Sequence, residues 1–189
     1  MALFGRKGLV QQPDRGSGGP DTLDVNDSAD VKWIKQSNDP LVWHDAALAC
    51  LIFRGDQHGL VPWLARQARL DRVTAAAMFL HRNNGVSYLQ GSHVEFVEMM
   101  EAQVVDMIET LCDLDGTRTL ADNGIGMEAG WESARLEAIE VLGNHPRVPM
   151  QILGGPLDRQ TARMPYSDMG EGDLMSDKHM RETMPFLFD

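Results

Sequence analysis

Between Ser92 and Leu111, apolar side chains return every three or four residues: Phe96, Met100, Val104, Met107, Ile108 and Leu111. That spacing matches the turn of an α-helix and lines one face of it, while Glu98, Glu101 and Glu109 fall elsewhere. Ser92 and Glu95 stand three apart ahead of the stripe, as in an S-x-x-E capping box, so a helix is predicted to start there. Other segments share the period. Asp39-Pro40 opens a run in which Trp43, Ala46, Ala47, Cys50 and Leu51 recur until Gly55. "GLVPWLARQA" reads as a short helix with Pro62 in its first turn. Asp71 caps "RVTAAAMFLH", which Asn84-Gly85 is expected to end. A fifth helix, "MEAGWESARLEAIEVLG", is expected to bury Trp131, Ala134, Ala138, Val141 and Leu142 and to stop at Gly143. "RVPMQILG" adds a further turn or two.

Alternating β-branched and aromatic residues are scarce, so the expected fold class is mainly α. It is a single compact helical domain of about five helices in a helical-hairpin arrangement, spanning 31–155. Residues 1–30, rich in Gly, Pro, Ser and Asp, read as a disordered arm. Residues 156–189 read as an irregular tail, with "MPFLFD" the segment able to dock it. "WLARQARLDRVTAAAM" and "AIEVLGNHPRVPMQIL" echo each other as helix, polar break, Arg-Val and short helix. Stacked hairpins would explain the echo, although only Arg-Val is identical.

At 189 residues, 43% of them hydrophobic, the chain can bury a core without disulfides or metals. Cys50 and Cys112 lie far apart in apolar helical contexts and read as buried reduced thiols. "MALFGRKGLV" is too short and too weakly apolar for a signal peptide, and no run approaches the ~18 apolar residues of a membrane span. A cytoplasmic protein without membrane contact is expected.

Charge is unevenly spread. Residues 1–95 carry ten basic and ten acidic side chains, whereas 96–189 carry seven basic and 18 acidic and hold the whole formal net charge of −11. Nucleic acid is thereby disfavoured, because phosphate binding needs Lys and Arg to release counterions. A basic protein partner, steered by complementary charge, is favoured. The residues expected to meet it are Glu98, Glu101, Glu109, Glu128, Glu132 and Glu140, on exposed faces of the fourth and fifth helices. A non-enzymatic interaction protein of immunity or antitoxin type is the function expected, with no metal or cofactor; a structural or adaptor subunit docking through "MPFLFD" is an alternative.

One motif points to another class. Asp113-Leu114-Asp115-Gly116-Thr117 resembles the D-x-D-G-T signature of haloacid-dehalogenase-like phosphatases. In that family the first Asp is a nucleophile and the second a general acid/base, and the pair helps to hold Mg²⁺. Gly172-Asp173 with Asp177 resembles the family's later acidic motif. The family needs a buried strand running into the first Asp; here a predicted helix precedes it, and Lys178 is the only lysine that follows. A helix C-terminus and an Asp-Gly turn fit the stretch better. Gly124, Gly126 and Gly130 lack the strand that a dinucleotide loop requires. His44, His58, His81, His93, His145 and His179 show no metal-ligand spacing. His44 reads as a hydrogen-bonded packing residue. Met99, Met100 and Met107 read as core filler or, alternatively, as an adaptable binding groove.

Residues 39–84 contain Trp43-His44, Trp63-Leu64, Asp71, Thr74-Ala75 and Phe79 in that order. This stretch, about a quarter of the chain, resembles the bacterial domain of unknown function 4274. Where that family usually has a Gln-Pro-x-Cys connector, this chain has Gln67-Ala68-Arg69-Leu70. The resemblance implies a helical fold and no catalytic residue.

Overall fold

A computed structural model describes residues 23–92 and 101–159, the side chains of Phe53, Arg54 and Glu101 excepted. The protein is mainly α, and the described residues form no strand beyond two isolated backbone bridges. The capping box at Ser92 and Glu95, Phe96, Met99 and Met100 fall wholly or partly outside the described residues, as do most of the N-terminal arm and the tail from residue 160 onward.

Order begins earlier than the expected boundary at Val31. Leu23 and Val25 are buried in the core, and Asp27 accepts from the N–H groups of Ala29 and Asp30 to start α1 (Ser28–Ser37). The composition of 1–30 hid this short apolar pair and its cap. Next, α2 (Pro40–Leu48) has Asp39 at its N-cap, accepting from Leu41 N–H, with Pro40 in its first turn. It continues as a π-helical stretch, Ala49–Arg54, and ends at Gly55. Trp43 ties these elements together: its Nε1–H donates to Ile34 O at 2.9 Å, and its ring meets Trp63 edge-on at 5.6 Å.

The short α3 (Leu60–Ala65) is followed by α4 (Arg72–Leu80), capped by Asp71 through Val73 N–H. Every residue of α4 from Val73 to Leu80 is buried. A helix apolar on all sides must be enclosed, and α4 packs against α2, α5 (Asn84–Leu89), α6 (Glu101–Leu114), α7 (Ala129–Leu142) and α8 (Met150–Leu153). Three consecutive alanines, Ala75–Ala77, let these neighbours approach closely. Burying Val73, Met78 and Phe79 contributes about 1.5–3 kcal/mol each.

Helices α1 and α5 are additional to the five expected. Asn84-Gly85 does not end α4 but opens α5; the break lies just before, where Arg82 and Asn83 adopt left-handed φ of 50° and 59°. Gly85 answers a different need. A Cβ there would stand 2.5 Å from the Phe79 ring. The echoed Arg-Val pairs are not equivalent either: Arg72 is the first residue of α4, whereas Arg147 lies in the loop before α8. In α7, Ala138 and Leu142 are buried as expected, but Trp131 and Ala134 are only half-buried, Val141 is 48% exposed and Arg135 is buried instead. The domain also reaches past residue 155, because Leu157 is fully buried and its carbonyl accepts from Met127 N–H at 2.8 Å.

Gly85→Ala is expected to overpack the Phe79 contact and cost about 1–3 kcal/mol. Gly130→Ala, with open space around it in α7, should be neutral or gain up to about 1 kcal/mol. Urea unfolding of both variants checks the pair; equal midpoints would contradict the packing described.

Candidate functional site

The D-x-D-G-T stretch is the part of the sequence that comes nearest to a catalytic motif. Helix α6 runs through Asp113 to Leu114, in the place where the phosphatase family has its strand. Asp113 Oδ1 accepts from Arg147 Nη2 at 2.9 Å. Asp115 Oδ1 accepts from Gln151 N–H at 2.9 Å and so closes the start of α8. Gly116 takes a left-handed φ of 77°, and Thr117 turns both its N–H and its hydroxyl back to Leu114 O. This is the helix end and Asp-Gly turn that local sequence suggested. Burial raises the Asp115 carboxyl above its ordinary range, outweighing the backbone N–H groups at the start of α8. The two carboxylates serve different partners. Among the described residues, no three His, Cys, Asp or Glu side chains are grouped to hold a metal. Gly172, Asp173, Asp177 and Lys178 lie outside the described residues.

The downstream residues are equally committed to structure. Arg118 donates to Ala65 O and Gln67 O, both at 2.8 Å, satisfying carbonyls at the end of α3. Ala121 exchanges backbone bonds with Leu70 and Arg72. Asn123 donates through its backbone and side-chain N–H groups to Asp71 Oδ2.

His44 is buried in α2 with Nδ1 2.9 Å from Thr74 Oγ1. Burial lowers its pKa to about 4, despite an opposing pull from the Asp71 charge. The ring is therefore neutral at pH 7, and Thr74 is fully buried, so the pair functions in packing. Burial, with Asp56 adding, pushes the Cys50 thiol far up; burial pushes Cys112 up to about 12. Neither sulfur is poised as a thiolate nucleophile.

The acidic residues divide. Glu98 lies outside the described residues, and of Glu101 only its place at the start of α6 is described. Glu109 is exposed on α6 and accepts from the Tyr88 hydroxyl. Glu128 and Glu140 are exposed at the start and toward the end of α7. Glu132 is a correction. Its carboxylate is recessed, accepts from Arg135 Nε and Nη2, and takes Leu157 N–H at 2.7 Å. The Arg135 contact holds its pKa below the ordinary range. It anchors the 152–157 segment and is not displayed. Glu137, which sequence reasoning did not select, is exposed. Its position three residues before Glu140 was a readable signal, since i and i+3 share a helix face.

The basic residues of 101–159 explain this division. All four, Arg118, Arg135, Arg147 and Arg159, are engaged by carbonyls or carboxylates. Asp106, also acidic, is held by Arg66. Glu128, Glu137 and Glu140 form no ion pair with any described residue. No protein-family model, curated protein or solved structure matches this chain.

The His44 environment sets a pH dependence. Its folded pKa of about 4 lies below the ordinary histidine value of 6.5. Between these values the unfolded chain binds a proton that the folded chain refuses. Stability is therefore full above pH 6.5 and falls as pH drops toward 4, by up to about 3 kcal/mol. Urea unfolding of wild type and His44→Gln at pH 7.5 and 5.0 should show a steeper acid loss in wild type; parallel losses would remove His44 as the cause.

Proposed function

We propose that this is a non-enzymatic bacterial interaction protein of the cytoplasm that presents an acidic surface to a basic protein partner, as an immunity or antitoxin protein does. The carrying observation is the unbalanced surface of α7. Glu128, Glu137 and Glu140 stand exposed, while every Lys or Arg in 101–159 is engaged by internal partners. A surface whose carboxylates are unmatched by the cations of residues 101–159 favours basic proteins and accelerates their association. It repels phosphate backbones and anionic lipid. No helix among the described residues is long and apolar enough to cross a membrane. Membership of the domain family of unknown function 4274 belongs to the same proposal: Trp43, Trp63, Asp71, Thr74 and Phe79 all serve packing or capping. They support a shared scaffold.

Capture from the source cell by the full chain at about 0.05 and 0.5 M salt tests the reading. Screening shortens from beyond 10 Å to a few Å across that range. A basic protein retained at low salt should be lost at high salt, and a Glu128→Lys/Glu140→Lys chain should capture at least tenfold less. Retention unchanged by salt and by charge reversal would overturn it.

A further inference from the structure

The outward face of α7 has a pattern beyond its charge. Ser133, Leu136, Glu137, Glu140 and Val141 are exposed, while Arg135, Ala138 and Leu142 face the core. At 100° per residue, Glu140, Glu137 and Val141 lie about 40°, 100° and 140° round the helix from Leu136. Two carboxylates thus form a central stripe with an apolar side chain on either flank. Leu136 is 55% exposed and Val141 48%. With Met150 they are the exposed large hydrophobic residues of the described chain. Neither glutamate forms an ion pair with a described residue.

We propose that this face is where the basic partner docks, and that it receives one amphipathic helix whose Lys or Arg residues run between two apolar rows. The proposal rests on the acidic-surface reading and adds the location and shape of the contact. Charge complementarity selects the occupant. A second copy bringing the same face would set Glu137 and Glu140 against their own likeness. Nucleic acid and anionic lipid meet the same repulsion. A simple cation would neutralise the stripe and leave Leu136 and Val141 uncovered. A basic helix with apolar flanks satisfies both features, as the facing member of a two-helix contact read by residues at i, i+3 and i+4. The flanking apolar pair supplies the hold, and the exposed ion pairs supply orientation and rate.

The test uses the full chain and a labelled helical peptide of Leu, Ala and Lys, with lysines in one stripe between two leucine rows. A scrambled peptide of equal composition is the comparison, and fluorescence anisotropy is the readout. The patterned peptide should bind at least tenfold more tightly than the scrambled one. Leu136→Ser/Val141→Ser should weaken it about tenfold at both salt concentrations. Glu137→Lys/Glu140→Lys should weaken it mainly at low salt. These side chains are exposed, and circular dichroism melts confirm that the variants fold. Equal binding of both peptides, or binding indifferent to the α7 variants, overturns the proposal. If Glu101→Lys/Glu109→Lys on α6 abolishes binding while the α7 variants do not, the acidic-surface reading survives and the α7 assignment falls. Absence of binding at either salt removes the α7 proposal, while the acidic-surface reading stands or falls by the capture experiment.

Discussion

The short helices of this protein are closed at their ends by charged side chains from elsewhere in the chain, and the rest of the structure depends on those closures. A six-residue α3 and a four-residue α8 are far below the length at which a helix persists alone. Each leaves terminal N–H and C=O groups that burial makes costly, about 1–3 kcal/mol apiece if unmet. Asp56 accepts from Leu60 and Val61 N–H at one end of α3, and Arg118 donates to Ala65 O and Gln67 O at the other. Asp115 closes the start of α8. Arg72 reaches Ile152 O within α8 and Gly155 O and Pro156 O past its end, and Arg135 reaches Leu153 O. The charges sit where the helix dipoles favour them, carboxylates at N-termini and guanidinium groups at C-termini.

These closures converge on α4. Asp71 caps it and is itself fixed by Asn123; Arg72, the next residue, holds the end of α8. The backbone of Ala121 pairs with the chain on either side of Asp71. One short step in sequence therefore joins the central helix to two remote segments. The stretch "WLARQARLDRVTAAAMFLH" is scaffold on this account. Its arginines are not simply solvent-facing: Arg66 pairs with Asp106 and Arg72 turns toward α8.

How far the fold was legible follows from the range of each interaction. Caps at Asp39 and Asp71, the stops at Gly55 and Gly143, and the apolar face from Val104 to Leu111 rest on neighbours within a few residues, so a linear reading finds them. Arg135 and Glu132 were legible only as charged residues on an amphipathic helix. What buries them is the segment near Leu153 and Leu157, which no local pattern announces. Asn84-Gly85 misleads for a related reason: the chain breaks at Arg82-Asn83, and Gly85 is small because Phe79 lies against it. Of the candidate site, Glu109, Glu128 and Glu140 were legible as exposed acids, while Val141 had been assigned to the core.

The same constraint shapes the outer electrostatics. An arginine that closes a helix end gives its charge to carbonyls and neighbouring carboxylates. Between residues 101 and 159, four arginines face 11 Asp and Glu residues. Four of those carboxylates, Asp106, Asp113, Asp122 and Glu132, are held by guanidinium groups. Part of the surplus appears where no closure is needed: Glu137 and Glu140 on the outward face of the long α7, and Glu109 on α6. Folding thus separates the charges: cations are spent within the architecture and carboxylates are left on a regular, rigid helix. A rigid helix fixes the spacing between charges and flanking apolar groups, which is the geometric condition that the proposed docking of a patterned partner requires.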